Sequence, residues 1–389
     1  PMLNSNLFLS QYKSLKAESL KSRHISNLDI EPLLSLLSNK FDVSVLGHSE
    51  GGLPIHVVKI GSGSKRILVW SQMHGNESTT TKALFDIFNY LELDKFKALI
   101  SSCSLFIIPI LNPDGALVYT RSNHNQIDLN RDAINRSQIE SRLLRSAFDT
   151  LKPHYCFNLH GQRTIFSVGK YNKSSIISFL SPSENEVRSV TTTRKKSMSI
   201  INTMNRVLQM YLPDQIGRYE DDFNPNCVGD QFQTLGVPTV LFEAGHYPRD
   251  YNREETRKYM ALSIFTALDY VSNNEIVGDD SSNYFEIPEN ERLFNDVIIR
   301  NTLINSNNSS DFCDIGIQYK EVLGKSGLQF RPTINCIGDL SDKYGHREID
   351  ANFKAVSHPD FCELSENYEI DFLFVESTKT PLFVENNLT

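Results

Sequence analysis

The sequence predicts an α/β fold with a mixed, mostly parallel central sheet flanked by helices, followed by a small β-rich C-terminal domain. Three observations carry that prediction. Short apolar runs at 66–72, 104–111, 154–159 and 238–243 have the length and composition of buried strands. Longer stretches at 79–91, 137–151, 193–212 and 253–273 alternate with them and carry helical spacing. After about residue 275 the long helical periods stop and short alternating segments replace them. We therefore expect two units, residues 1–275 and residues 276–389.

Taken in order, residues 2–40 read as amphipathic helix preceding the sheet. Phe41–Leu46 and Ile55–Ile60 alternate on either side of Glu50-Gly51-Gly52, the pattern of a hairpin. Arg66-Ile67-Leu68-Val69-Trp70 is the first buried strand. Leu84, Ile87, Phe88 and Leu91 then repeat at i, i+3, i+4 and i+7, one face of a helix. Pro109-Ile110-Leu111 runs into Asn112-Pro113-Asp114-Gly115, which reads as a turn because proline fixes φ and glycine permits positive φ. The densest basic patch, Arg188, Arg194, Lys195 and Lys196, reads as the solvated start of a helix. Asn273-Asn274 and the run 279–283 form a polar linker. Beyond it lie Val297–Ile299, Ile315–Tyr319, Thr333–Ile337 and Tyr368–Val375.

Composition bounds the function. A net charge of -8, with no basic stripe interleaved by aromatics, argues against nucleic acid as a partner. No apolar stretch approaches the roughly 20 residues needed to cross a bilayer, so no membrane partner is expected. The start, Met2–Leu7, lacks an apolar signal region. The six cysteines are scattered without a CxxC and suit free thiols in a reducing compartment, so a cytoplasmic location is expected. Five N-x-S/T sequons begin at Asn76, Asn135, Asn172, Asn308 and Asn387; the first lies inside the histidine motif below, and they are not read as a sign of secretion.

The chemistry concentrates at strand ends, where open α/β sheets bind their ligands. The first strand ends in His74-Gly75-Asn76-Glu77, a histidine and a carboxylate three residues apart. The strand Cys156–Leu159 ends in His160-Gly161, and Thr239–Phe242 ends in Glu243-Ala244-Gly245-His246. Zinc takes imidazole nitrogen and carboxylate oxygen, and a catalytic zinc keeps one position open for water. His74, Glu77 and His160 make such a set. Glu243 is left over to act on the water.

These motifs resemble the zinc metallocarboxypeptidases of the carboxypeptidase A type. The match runs from about residue 40 to 275: HGNE at 74–77, NPDG at 112–115, Arg121-Ser122-Asn123 followed by Asp128-Leu129-Asn130-Arg131, LHG at 159–161 and FEAG at 242–245. The resemblance implies one Zn²⁺ per chain held by His74, Glu77 and His160. It implies that Asp128 fixes the His74 tautomer, that Arg121 stabilises the oxyanion and that Asn130 and Arg131 grip the substrate's free α-carboxylate. Glu243 would be the general base and then the acid. A mobile tyrosine usually precedes the base in this family; Tyr219 is the candidate, with a structural aromatic as the alternative. Gly229 and Asp230 are expected to border the side-chain pocket, where Gly229 carries neither an apolar wall nor an acid that would dictate a preference. Asp132 and the acids at 220–222 add negative charge near the mouth, read as solvated loop. The other histidines, His246 included, read as structural.

The implied activity is removal of a C-terminal residue from a peptide. The alternative keeps the metal and takes a small N-acyl amino acid or a cell-wall peptide bearing a free carboxylate. A carboxylate-binding protein without catalysis would be expected to have lost a ligand or the base, and neither is lost here. Oligomeric state and the role of the C-terminal segment are not written in the sequence.

Overall fold

The computed structural model describes residues 4–305 and 310–384. The sequons at Asn308 and Asn387, and Met2 and Leu3 at the start, lie outside the described residues.

Helix α1 (Ser5–Leu15) and helix α2 (Asn27–Leu37) open the chain, followed by the antiparallel hairpin β1 (Asp42–His48) and β2 (Pro54–Ile60). Strand β3 (Lys65–Ser71) leads to helix α3 (Thr79–Leu91), then the short α4 (Lys97–Ser102) and β4 (Cys103–Ile108). Helices α5 (Pro113–Val118) and α6 (Ile139–Leu151) precede β5 (Tyr155–Gly161) and the short β6 (Phe166–Val168) and β7 (Ile177–Leu180). Then come α7 (Thr192–Gln209), β8 (Ile216–Arg218), α8 (Val228–Thr234), β9 (Thr239–Ala244) and α9 (Glu254–Asn273).

The central sheet has eight strands in the order β1-β2-β4-β3-β5-β9-β7-β8. Four of its seven pairings are parallel, including the middle run β4-β3-β5-β9. The mixed, mostly parallel α/β fold is therefore borne out. The four strands read from apolar runs are the four central ones, because only strands covered on both faces can be continuously apolar. The flanking strands β7 and β8 were not legible, being four and three residues long.

Three readings are corrected. Asn112–Gly115 is the start of helix α5, not a free turn: Asn112 Oδ1 accepts from the Gly115 backbone N–H at 2.9 Å, with proline in the first turn. Arg194 is fully buried and paired with Asp221 at 2.5 Å, so the basic patch is not all solvated. Asp221 also takes Arg188 at 3.1 Å, which makes it a structural anion rather than a mouth charge. Asp132 is likewise buried and caps α6 by accepting from Ser137 and Gln138.

The C-terminal part is a separate β-rich region with its own core around Val297, Ile315, Ile317 and Leu373. Strand β10 (Asn290–Arg292) still pairs with β6, and Tyr284 still sits in the main core. The separate core begins with β11 (Phe294–Asn305), β12 (Ser310–Gly324), β13 (Gly327–Gly338) and β14 (Tyr344–Asp350), in the order β13-β12-β11-β14. A three-stranded sheet of β15 (Val356–Ser357), β16 (Phe372–Val375) and β17 (Thr378–Pro381) completes it. The region docks on the chain just beyond β5. Phe294 N donates to Ile165 O at 3.0 Å, and His346 Nε2 lies 2.7 Å from Thr164 O. A charged contact, Arg23 to Glu321 at 2.6 Å, closes the seam from the other side.

Candidate active site

Three parallel strand ends build the site. His74 and Glu77 follow β3, His160 ends β5, and Glu243 lies near the end of β9 as the register partner of His160. The loop carrying His74 and Glu77 is held against the first turn of α5. A Cβ on Gly75 would lie 2.0 Å from the Gly115 carbonyl carbon, so only glycine allows this approach. The first two motifs of the sequence therefore brace each other.

Ligand atoms of His74, Glu77 and His160 lie within 4.8 Å of one another. The Nδ1 atoms of the two histidines face each other at 3.2 Å; Glu77 Oε1 is 3.0 Å from His74 Nδ1, and Glu77 Oε2 is 3.0 Å from His160 Nδ1. Two imidazole nitrogens and a carboxylate converging on one point suit a cation, since neutral lone pairs cannot satisfy each other. The other nitrogen of His74, Nε2, is 2.9 Å from Asp128 Oδ1, which keeps the proton there and leaves Nδ1 free as a ligand. The residues present thus fit zinc.

The titrating groups act strongly on one another. Burial alone would lower His74, but the Glu77 carboxylate and the Asp128 hydrogen bond outweigh it and raise the ring to about 9. Burial would raise Asp128, yet the bond from His74 and the charge of Arg121 hold it well below the usual carboxylate range. Glu77 is held low in the same way against its burial by His74 and His160. Glu243 goes the opposite way, pushed up by burial and then by the Glu77 charge. Its Oε2 is buried without a hydrogen-bond partner among the described residues. Two carboxylates on the β3 and β9 sides of β5 are thus driven apart, one toward the charged form and one toward the protonated form.

Arg121 spans the group, donating through Nε to Asp128 Oδ2 at 2.9 Å and reaching Glu77 Oε1 at 3.6 Å. These side chains open into a cavity of about 660 Å³ also lined by Asn130, Arg131, Tyr219, Gly229 and Asp230. Every predicted site residue except Asp128 lines it, and Asp128 stands directly behind His74. Asn130 Oδ1 accepts from Val228 N at 2.9 Å, and Arg131 Nη1 donates to Asn130 O at 2.8 Å, leaving most of an exposed guanidinium for a ligand. Tyr219 packs against Phe166, and burial and the nearby Glu243 charge raise its hydroxyl. Asp230 is buried, and its carboxyl is pushed up to about 7 by that burial.

His246 stands apart from the metal residues, packed on Tyr251 and His346. Asn158 and Gln162 line the cavity and were not singled out from sequence. A lone asparagine within the apolar run Cys156–Leu159 was the available signal for the first; the second had none.

The sequence profile of the zinc carboxypeptidase family matches residues 32–191. That span holds His74, Glu77, Arg121, Asp128, Asn130, Arg131 and His160, and ends before Tyr219 and Glu243. Carboxypeptidase 2 of Trichophyton rubrum is 26% identical over 101 residues, which is 25% of this chain and 19% of that protein. A carboxypeptidase of Arabidopsis thaliana is 30% identical over 99 residues, 22% of this chain and 20% of that one. The chain thus spans about a fifth of the length of the curated relatives it matches. Among solved structures, a metallo-carboxypeptidase of Burkholderia cenocepacia superposes with a TM-score of 0.51 at 15% identity, covering 63% of this chain and 70% of that one. Bovine thrombin-activatable fibrinolysis inhibitor, solved with a tick carboxypeptidase inhibitor, gives 0.52 at 12% identity and covers 67% and 97%. The fold is shared with both.

Proposed function

Taking residues 32–191 as a zinc carboxypeptidase domain, we propose that the protein is a zinc-dependent carboxypeptidase that hydrolyses the C-terminal amide bond of a peptide. The observation that carries this reading is the convergence of His74, Glu77 and His160 with Glu243 one strand away and Arg131 in the same cavity. When bound, one zinc ion would supply Lewis acidity, lowering the pKa of water at the site to about 7. Asp128 holds the His74 proton on Nε2. Asn130 and Arg131 hold the terminal carboxylate, for which a planar bidentate donor is suited. Glu243 takes the proton of the attacking water and returns it to the departing amine nitrogen. Arg121 meets the negative charge that develops on the scissile carbonyl oxygen. Tyr219, which lines the same cavity, covers the substrate. Asp230, partly protonated near neutrality and accepting from the Asn224 backbone N–H, meets the side chain of the released residue.

The competing substrate class is a small N-acyl amino acid or a cell-wall peptide with a free carboxylate, which the same zinc, base and Arg131 would serve. The test is product mass spectrometry on a panel of peptides and acyl amino acids, run with chelator and with zinc restored. Release of C-terminal residues from peptides, lost on chelation and recovered with Zn²⁺, is expected. Cleavage confined to short acyl amino acids would overturn the carboxypeptidase reading.

A further inference from the structure

A second cavity, of about 520 Å³, adjoins the first. Glu77, Arg121, Gly161, Gln162 and Arg163 line both, so of the proposed metal ligands Glu77 stands between the two spaces. Asn130 and Arg131 line only the first. The outer wall of the second is the β12–β13 hairpin of the β-rich region, which contributes Tyr319, Lys320, Glu321 and Phe330.

Its cations outnumber the acids available to them. Arg23 is used by Glu321 at 2.6 Å, and Glu321 also accepts from Tyr119 Oη at 2.7 Å. Asp296 accepts from Tyr251 Oη and Tyr319 N, both at 2.8 Å, and burial raises its carboxyl to about 6. Arg253 is different. It is 3% exposed, its Nη atoms reach only the carbonyls of Ala244 at 2.6 Å and Gln162 at 2.5 Å, and its Nε has no partner. No carboxylate lies within ion-pair distance of it among the described residues. Arg163 and Lys320, both exposed, also lack a carboxylate partner there. A buried guanidinium hydrogen-bonded only to carbonyls, with Glu321 and Glu77 acting on it only from beyond ion-pair distance, has charge that an incoming anion would further balance.

We propose that this second cavity receives the residues on the acyl side of the scissile bond and selects a peptide carrying a carboxylate side chain there. Arg253 provides the buried charge, with Arg163 and Lys320 at the rim. The direction of the substrate rests on the reading above that Asn130 and Arg131 hold the terminal carboxylate in the first cavity. With that end fixed, the preceding residues cross Glu77 and Arg121 and enter the second. The β-rich region thereby becomes a specificity wall. A charge-assisted hydrogen bond to a partly buried partner accounts for about a tenfold to hundredfold preference.

Calorimetric titration of the metal-free protein tests this without turnover. The probes are matched tetrapeptides with one C-terminal residue and glutamate, glutamine or lysine at the two preceding positions. Glutamate peptides are expected to bind at least about tenfold more tightly than glutamine peptides, with lysine peptides weakest. The advantage should shrink with added salt and in Arg163→Gln/Lys320→Gln, whose exposed sites spare the fold. Arg253→Gln should remove it; if that variant does not fold, the exposed pair and the wild-type comparison still decide. Equal affinity for glutamate and glutamine peptides overturns the proposal. The zinc-loaded protein is then given the same peptides. Glutamate-selective binding without hydrolysis supports this site while sinking the carboxypeptidase reading; hydrolysis without selective binding does the reverse.

Discussion

His160 and Glu243 are register partners on the adjacent parallel strands β5 and β9. A proposed metal ligand and a proposed proton carrier are thus spaced by the backbone ladder, not by a loop. Strand spacing varies little, because each ladder hydrogen bond resists displacement of its neighbours. The loop residues His74 and Glu77 are held instead by the Gly75–Gly115 contact and the Asp128 bond.

Glu243→Gln removes proton transfer while keeping size and burial. The kcat should fall roughly 10²–10⁴-fold with zinc stoichiometry unchanged. Parallel kinetics and metal analysis check this. An unaltered rate would remove Glu243 from the chemistry.

Asp128→Asn leaves all three ligands in place but weakens the grip on the His74 tautomer. Zinc affinity should drop about 10–100-fold, measured by competition with a chromophoric chelator. Glu77→Ala, in contrast, should abolish stoichiometric binding.

Arg131→Ala removes the cation facing the terminal carboxylate. The kcat/KM for free-acid peptides should fall about 10–100-fold, whereas that for C-terminally amidated peptides, expected to be low in the parent, should change little. An equal loss on both would assign Arg131 a structural role.

Burial raises the Asp230 carboxyl to about 7 in the folded protein. An unfolded aspartate titrates near pH 3.9. Between those values the folded state binds more protons, so stability contributed by this group declines as pH rises from about 4 to about 7. Asp230→Asn keeps an acceptor for the Asn224 N–H, which now bonds Asp230 Oδ2 at 2.8 Å. The variant should match the parent near pH 4 and be more stable by roughly 1–3 kcal/mol at pH 8, by denaturant titration. A pH-independent difference would show that the carboxyl is not raised.

Arg257 and Asp86 are both fully buried and paired at 2.6 Å, with Tyr12 of α1 also bonded to Asp86 at 2.8 Å. Asp86→Ala removes the fully buried carboxylate, leaving the guanidinium only Glu254 at 3.2 Å, and should cost about 3–5 kcal/mol of stability. The same titration measures it. A loss below about 1 kcal/mol would mean that water reaches Arg257.

The legible parts of this molecule are the ones whose signal is local. His74 and Glu77 are three residues apart, the central strands are continuous apolar runs, and α3 runs over 79–91 as its spacing predicts. Arg194 was misread because its neighbours in sequence are basic, while the partner that buries it, Asp221, comes 27 residues later. The strands β7 and β8 were missed because so few residues carry no period.

By itself the sequence determined the α/β class, the strand ends that bear histidine and glutamate, and the metal chemistry those residue types allow. Periodicity and ligand type are properties of short segments, so they survive without coordinates. Tertiary structure alone decided that Arg253 has no carboxylate at ion-pair distance among the described residues, and that the β12–β13 hairpin walls a second cavity beside Glu77. Those relations join residues roughly 80 to 250 positions apart. Such distant pairings are set by packing and by which charges find partners, a competition that only the folded chain resolves.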